Sequence, residues 1–406
     1  MSEAVRECAA HPAAGLRVGY LTQATVARHG HGYVTKAGLG RLVEALEERA
    51  GSVLFGASLA PAPTIVHDYE LGVRSHHVVT YPYVASMAHA FLMTRALRRV
   101  VAQLEEECDV VIVQLPWAPP HSLAFARRPR VYHVCADVRG VVGSSTYYRG
   151  IRRVAARTAA RIVDVGQRAL MAGDATRTVT NGLELYQHYG EPAGRPVVSS
   201  PLRATEIGSV PRRRPSSAPP RVLFVGFLRP EKGIDVLLDA FDTVSARVPS
   251  AELRLIGTQD LFEGGAARDI VARVAQRRGT GTIEHLGYLS FGPRLFAEYA
   301  DADVVVVPSL SEGTPRVIME ARAFGAAVIG SRVGGIPTSI EHGVDGLLVE
   351  PGDAPGLAEA ILELILDPAR RQVIAAGGLA RVRRSTVDVY ADQILAEAVA
   401  ACGGAA

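Results

Sequence analysis

The chain has 406 residues, a length that predicts two domains of about 150–200 residues each. Hydrophobic residues make up 48% of the sequence and the formal net charge is only +3, so the composition gives no indication of a nucleic-acid partner. The four cysteines lie far apart with no CxxC spacing, which predicts reduced thiols in a cytoplasmic protein.

Short apolar segments alternate with helical patterns along the first half of the chain. The N-terminus lacks the basic start and apolar core of a signal peptide, and no stretch approaches the about 18 uncharged apolar residues that would span a membrane. Strands are predicted at 16–21, 108–116 and 130–137. This alternation is typical of a parallel sheet with crossover helices.

The loops after these strands hold candidate ligand contacts. A glycine-rich loop at 27–38 offers His29, Gly30, His31, Gly32 and Lys36. A flexible surface loop is the alternative there. Trp117 follows the strand at 108–116 and is either a pocket-lining residue or a packing residue. Lys36 and Lys232 are the only lysines among 44 basic residues, so each was either retained for its compact ammonium group or survived by chance.

An arginine-rich amphipathic helix is predicted at 147–163, with most of its arginines on one side. Such a face could lie on an anionic membrane, which would suit a lipid acceptor. Arginine faces of this kind are more often simply solvated. We therefore do not favour a membrane surface among the partners.

A break in the pattern separates the two halves of the chain. The segment 206–220 is rich in Pro, Ser and Arg and cannot continue a helix or a strand, so we interpret it as an interdomain linker. The alternation of strands and helices restarts after it. We predict Rossmann-like domains at 1–205 and 221–385, followed by a helix and tail at 386–406.

Two strand ends of the second half carry candidate ligand contacts. The loop "GFLRPEKG" at 226–233 has Gly226 for a sharp turn, and its Arg229 and Lys232 lie near a helix start. A diphosphate there would meet cations and free N–H groups, although a solvated basic turn is the alternative. The strand end at 285–289 could pack beside a nucleobase through Tyr288 and Leu289.

The stretch 309–335 places two glutamates around a helix start. Glu312 lies in the loop and Glu320 in the helix, with Thr314-Pro315 as the predicted N-cap and first helical residue. Two carboxylates facing one cleft could hold a ribose diol and a sugar, whereas the alternative is an ordinary capped helix with exposed glutamates. Backbone groups around the helix start suit a phosphate or sugar oxygen, and the residues are Gly313, Thr314, Pro315, Arg316 and Val317.

These segments, within 221–353, together resemble the retaining GT-B glycosyltransferases of family 4, the glycogen-synthase-like group. The first half resembles the family more faintly, through the glycine-rich loop, Asp137 and "TNG" at 180–182. The resemblance implies an α/β protein of the GT-B fold class, in which two doubly wound Rossmann-like domains face a cleft. A nucleotide-sugar donor would lie on the C-terminal domain and the acceptor on the N-terminal domain, near the loop at 27–38 and Trp117. The helix at 386–406 would pack back on the N-terminal domain.

The resemblance also assigns roles to individual residues. By position, Lys232 would neutralise the diphosphate leaving group, Glu320 would hold the ribose and Glu312 would contact the donor sugar. Phe227 stands where the family usually has an arginine, so Arg229 is the candidate replacement. Ala136 stands where a histidine is common, and His133 is the candidate replacement. The catalytic candidates are therefore Glu312, Lys232, Asp137 and His133.

The expected function is transfer of a hexose or hexosamine from a nucleotide-diphosphate sugar to a hydroxyl of a small-molecule or glycolipid acceptor, with retention. We expect no cofactor and no metal, since the "DAD" at 301–303 only precedes a buried strand. The protein would be a monomer or homodimer. One alternative is a related GT-B synthase or pseudo-glycosidic coupling enzyme acting on a phosphorylated acceptor. Another is a catalytically silent GT-B binding protein.

Overall fold

The computed structural model describes residues 11–64, 66–72, 77–124, 126–144, 150–173, 176–190, 194–258 and 281–403. A helix that the apolar periodicity of 267–278 predicts lies outside these residues, as does Cys8. Within them, the thiols of Cys108, Cys135 and Cys402 are free. In the same part of the chain, no helix combines the length and the apolarity needed to cross a bilayer.

A nine-stranded sheet forms the centre of the N-terminal half. Its strands are β1 (Arg17–His29), β2 (Gly32–Thr35), β3 (Ser52–Leu59), β4 (Tyr69–Glu70), β5 (Val78–Pro82), β6 (Val110–Leu115), β7 (Arg130–Val134), β8 (Thr176–Asn181) and β9 (Gly194–Val197). Seven of them run parallel in the order β5-β3-β1-β6-β7-β8-β9. At the end of β1, β2 pairs antiparallel with β1, and β4 pairs antiparallel with β2. The carboxyl ends of the seven parallel strands therefore share one edge.

Helices cover both faces of this sheet. They are α1 (Ala37–Glu47), α2 (Met87–Leu92), α3 (Thr94–Glu107), α4 (Val138–Ser144), α5 (Gly150–Met171) and the single turn α6 (Leu183–Leu185). In α3 the buried residues recur at helical spacing, so one apolar stripe faces the sheet while the remaining positions meet solvent. Those residues are Leu97, Val100, Val101 and Leu104.

The C-terminal half is built on a second, six-stranded sheet in which every strand is parallel. The strands are β10 (Arg221–Val225), β11 (Glu252–Ile256), β12 (Thr282–His285), β13 (Val304–Val307), β14 (Ala327–Ser331) and β15 (Leu347–Val349), in the order β12-β11-β10-β13-β14-β15. All four residues of β13 are valines, and all are buried, as a strand covered on both faces requires. The two doubly wound domains predicted from the sequence are present.

The helices of the C-terminal half are α7 (Ile234–Arg247), α8 (Pro293–Asp301), α9 (Val317–Ala323), α10 (Ile336–Ser339), α11 (Ala354–Leu366) and α12 (Pro368–Val382). The chain then crosses back, because the last helix, α13 (Val387–Gly403), packs on the N-terminal sheet and on α1. Tyr390, Ile394 and Leu395 of α13 belong to the same apolar core as Val18 and Val110 of that sheet.

The structure corrects two interpretations made around the first domain. The segment 27–38 is largely a β-hairpin, because β1 continues to His29 and pairs with β2. Trp117 is fully buried, donates from Nε1 to Ser122 Oγ at 2.8 Å and packs edge-on against Tyr81. It is therefore a core residue and not part of an acceptor pocket.

His133 is also a core residue, which removes it from the catalytic candidates. It lies on β7 with no exposed surface. The Tyr20 hydroxyl lies 3.0 Å from Nδ1 and the Tyr390 hydroxyl lies 2.5 Å from Nε2, so both ring nitrogens are occupied. Alternation along β7 predicts the face of the sheet on which His133 lies, and α13 covers that face.

Burial lowers the pKa of His133 to about 4, and this predicts a dependence of stability on pH. The unfolded chain, with a histidine pKa of about 6.5, binds a proton between pH 6.5 and 4 that the folded chain excludes. The free energy of unfolding should therefore decrease as the pH is lowered through that window, by up to about 1.4 kcal/mol per pH unit. Guanidinium unfolding from about pH 7 to about pH 4.5 tests this. The His133→Gln variant should have a flatter profile, and equal slopes for the two proteins would contradict the assignment.

Candidate active site at the interdomain cleft

Two loops of the C-terminal domain cross at the carboxyl ends of β10 and β13. The backbone of Gly233 has φ of 68°, and a Cβ there would lie 1.8 Å from the Pro308 carbonyl oxygen, so only glycine permits this approach. The Leu310 N–H then donates to the Glu231 carbonyl at 2.8 Å. These contacts hold the two loops in a fixed relation.

The crossing brings a cation and a carboxylate together. Lys232 Nζ donates to Glu312 Oε2 at 2.5 Å, and the Ser309 hydroxyl donates to the same oxygen at 3.0 Å. The backbone of Gly334 packs directly against the backbone of Glu312, because a Cβ on Gly334 would lie 1.9 Å from the Glu312 carbonyl oxygen. Lys232 and Glu312, 80 positions apart in sequence, thus form one rigid ion pair.

Arg229 lies beside this pair. Its guanidinium stacks over the Phe227 ring at 4.8 Å and lies 3.8 Å from Glu231. An aromatic face holds a guanidinium through its quadrupole, so Phe227 orients the neighbouring arginine. This contact is a physical reason for an aromatic residue at the position where the family usually has the arginine.

Glu320 lies deeper, in the first turn of α9. It is buried and accepts a hydrogen bond from the Tyr299 hydroxyl of α8 at 2.8 Å. Burial raises the pKa of Glu320, while the positive charge of Arg316 and the Tyr299 hydrogen bond partly oppose that rise. A carboxylate in this setting has one oxygen held by protein, which favours a directed contact with a ligand hydroxyl.

Thr314 does not cap α9 as predicted. The helix begins at Val317, and no side chain caps it. Instead the Thr314 hydroxyl donates to the Asn181 carbonyl oxygen of the N-terminal domain at 3.2 Å. A Cβ on Gly182, which has φ of 98°, would lie 2.6 Å from Thr314 Oγ1. The "TNG" segment therefore touches the loop that carries Glu312.

Asp68 makes a second bridge across the cleft. One of its oxygens accepts from the Tyr288 hydroxyl at 2.6 Å and from the Phe291 N–H at 3.2 Å, and the other accepts from the Ala37 N–H at the start of α1. Sequence reasoning missed Asp68, since it belongs to no motif. Its three donors come from positions up to 223 residues away.

Lys36 and Arg316 face each other from the two domains. A Cβ on Gly38 would lie 1.5 Å from Arg316 Nη1, so this guanidinium rests on the start of α1. Among the residues that the structure describes, neither side chain has a hydrogen-bond or ion-pair partner. Burial is the largest cause that lowers the pKa of Lys36, followed by the positive charges of Arg316 and Arg229, while the Asp68 carboxylate opposes the shift. Two cations that no described carboxylate pairs with directly form a site suited to an anion.

Comparison with known proteins separates family from fold. Residues 219–367 match the family model of the glycosyl transferases group 1. These residues form a group 1 glycosyltransferase domain. The match covers Lys232, Glu312 and Glu320, and it confirms the resemblance drawn from 221–353.

Curated relatives of the chain carry one activity in their names. The D-inositol 3-phosphate glycosyltransferase of Thermobispora bispora is 33% identical over 234 residues, which are 55% of this chain and 54% of that protein. The protein of the same name from Pseudarthrobacter chlorophenolicus is 32% identical over 232 residues, 55% of each chain. The chain thus spans about half the length of the curated relatives it matches.

Solved structures extend the likeness over the whole fold. The sucrose-phosphate synthase of Thermosynechococcus elongatus matches with a TM-score of 0.68 at 20% identity, over 95% of this chain and 100% of that chain. Anabaena HepE in complex with UDP matches with a TM-score of 0.65 at 21% identity, with the same coverage. The GT-B fold predicted from the sequence is confirmed.

The remaining predicted site residues lie in the β1–β2 turn, at the start of α4 and against the C-terminal core. The hairpin turn between β1 and β2 is solvent-facing, and among the described residues none of its side chains bonds to the group 1 domain. It consists of His29, Gly30, His31 and Gly32. Asp137 accepts from the Arg139 and Gly140 N–H groups at 2.9 Å each, so its carboxylate caps α4. Leu289 packs against the core of the C-terminal domain.

Proposed function

We propose that the protein is a retaining glycosyltransferase that moves a hexosyl group from a nucleotide-diphosphate sugar to an acceptor hydroxyl. The observation that carries the proposal is the Lys232–Glu312 ion pair, fixed by crossing loops at the mouth of the cleft. A cation held at the carboxyl ends of parallel strands suits a diphosphate, and the carboxylate beside it suits sugar hydroxyls.

The remaining donor contacts follow from the positions of the neighbouring side chains. Arg229, oriented by Phe227, adds a second positive charge near the diphosphate. Glu320, with one oxygen held by Tyr299, offers the other to the ribose diol. These preorganised charges would stabilise the negative charge that develops on the leaving diphosphate, and we propose that they do so without a metal.

Retention is proposed to follow from attack on the same face of the sugar. The acceptor oxygen bonds to the anomeric carbon as the carbon–oxygen bond to the diphosphate breaks, and the hydroxyl proton passes to the departing phosphate oxygen. Asp68 is a carboxylate that the N-terminal domain brings to the cleft, but three donors engage it. It is therefore a poor candidate for a nucleophile, which supports transfer without a covalent intermediate.

The acceptor is proposed to carry an anionic group. Lys36 and Arg316 present two cations from opposite domains, and no carboxylate among the described residues forms an ion pair with either. The names of the relatives from Thermobispora bispora and Thermosynechococcus elongatus both contain a sugar or inositol phosphate. A phosphorylated small molecule therefore fits the cleft better than a neutral one.

A thermal-shift experiment with UDP, GDP, ADP and dTDP tests donor binding. One nucleotide should stabilise the wild type, since a ligand at about 100 times its Kd contributes about 2.7 kcal/mol. Glu320→Ala should abolish most of that shift because the ribose contact is lost. Glu350→Ala changes an exposed carboxylate of the same domain and should keep it. No shift with any of the four nucleotides at millimolar concentration would contradict the proposed donor.

A further inference from the structure

Helix α5 has a second apolar face that none of the residues described in the structure covers. Its buried side consists of Ala156, Ala160, Val163, Asp164 and Gln167. On the other side, large aliphatic residues are exposed over 55–85% of their surface, and they are Ile151, Val154, Ile162 and Val165. An aliphatic residue exposed singly is ordinary, but four on one helix form a patch.

The geometry of the helix sets these residues in one stripe. At about 100° per residue, seven exposed positions lie within about 60° of the direction opposite the buried side. We call them the α5 outer face, and they are Ile151, Val154, Ala155, Thr158, Ile162, Val165 and Ala169. The stripe runs most of the length of a 22-residue helix, with Thr158 as its only hydroxyl.

The charges around the α5 outer face have one sign. Exposed arginines border it, with Arg157 and Arg161 on one side and Arg152 on the other. Asp164 is the only carboxylate of the helix; it is buried and accepts hydrogen bonds from Arg168 and the Tyr189 hydroxyl. The outer surface of the helix therefore combines an apolar stripe with uncompensated positive charge.

We propose that the α5 outer face binds the surface of an anionic lipid bilayer. An apolar stripe flanked by arginines lies in the interface of such a bilayer, because the aliphatic residues enter the acyl boundary and the arginines meet lipid phosphates. A second copy of the chain fits poorly, since pairing two α5 outer faces would bring arginines against arginines. A nucleic acid would leave the aliphatic stripe without an apolar partner.

The direction of α5 relates this surface to the cleft. Asp137 follows the carboxyl end of β7 and begins α4, and α5 then leads to β8, which runs parallel to β7. Helix α5 therefore starts at the carboxyl-end edge of the sheet, where the cleft lies. The proposed bilayer contact goes beyond the proposed transfer reaction, and it would bring lipid phosphates near the acceptor side of the cleft.

Vesicle co-sedimentation tests the proposal with the full chain. The wild type should pellet with vesicles of equimolar phosphatidylcholine and phosphatidylglycerol, much less with phosphatidylcholine alone, and less at about 0.5 M than at about 0.1 M salt. The double variant Ile162→Glu with Val165→Glu should reduce the bound fraction about tenfold or more. Arg157→Glu with Arg161→Glu should remove the preference for anionic vesicles.

Two controls separate loss of binding from loss of fold or of the proposed reaction. Val373→Glu alters an aliphatic residue of α12 that is 59% exposed and should leave vesicle binding unchanged. Every variant should show the same nucleotide-induced thermal shift as the wild type. That shift would be lost only if the donor site itself were disrupted. A wild type that stays in the supernatant with anionic vesicles at low salt would overturn the proposal. A dimer that Val165→Glu dissociates, without vesicle binding, would also overturn it and assign the face to a second copy.

Discussion

Replacing Lys232 by alanine is expected to lower kcat for sugar transfer about 10²–10³-fold, as loss of one preorganised charge at a developing anion does in other enzymes. Lys232 is the cation of the Lys232–Glu312 pair, and its position is fixed by the crossing of two loops. Without it, the leaving diphosphate would lose a positive charge, and Glu312 would be left without its closest counter-ion. The fall should therefore appear in kcat and not only in KM.

The measurement is release of the nucleotide diphosphate with the donor named by the thermal-shift screen. Lys232→Arg keeps the charge and should retain more activity than Lys232→Ala, though less than the wild type, because a planar guanidinium replaces a compact ammonium. Arg247→Ala, a change in an exposed ion pair of α7, should leave kcat unchanged. Activity of Lys232→Ala within twofold of the wild type would refute the role of this residue.

Replacing Asp345 by alanine should reduce the free energy of unfolding of the C-terminal domain by about 3–5 kcal/mol. Asp345 Oδ1 lies 2.5 Å from Nη2 of Arg322, and both side chains are buried. The Arg322 guanidinium also donates to the carbonyl oxygens of Ser339 and Asp345. Removing the carboxylate would strand a buried positive charge in α9, the helix that carries Glu320.

Arg381→Ala is the matched control for this pair. Arg381 binds the other oxygen of Asp345 at 2.7 Å but is partly exposed, so its loss should cost about 1 kcal/mol or less. Chemical denaturation followed by circular dichroism is the readout, because Trp117, the one tryptophan, reports on the N-terminal domain. An equal loss of unfolding free energy in the two variants would show that burial does not determine the strength of the Arg322–Asp345 ion pair.

The sequence predicted the parts of the site that depend on local order. Apolar runs gave the strands, and loops that follow parallel strands must meet at one edge, which placed Lys232, Glu312 and Glu320 together. The sequence did not predict contacts between distant elements. Two of the donors to Asp68 and the acceptor for Thr314 come from the opposite domain, and no spacing in the chain marks them.

The two misassigned residues have a common physical cause. His133 and Trp117 follow or end strands, where side chains often reach a cleft, but other elements cover them. For His133 the cover is Tyr390 of α13, 257 positions later. Period-two alternation states which residues share a face of a sheet and does not state what lies on that face.

The return of α13 to the first sheet has a consequence for synthesis on the ribosome. Domains generally fold in the order in which they leave the tunnel, the first one made folding first. Here the core of the N-terminal domain includes Tyr390, Ile394 and Leu395, which are translated after the entire C-terminal domain. One apolar face of the nascent N-terminal sheet therefore stays uncovered until α13 has been synthesised. A premature stop before residue 387 would leave that face exposed to chaperones and proteases, even though every cleft residue had been made.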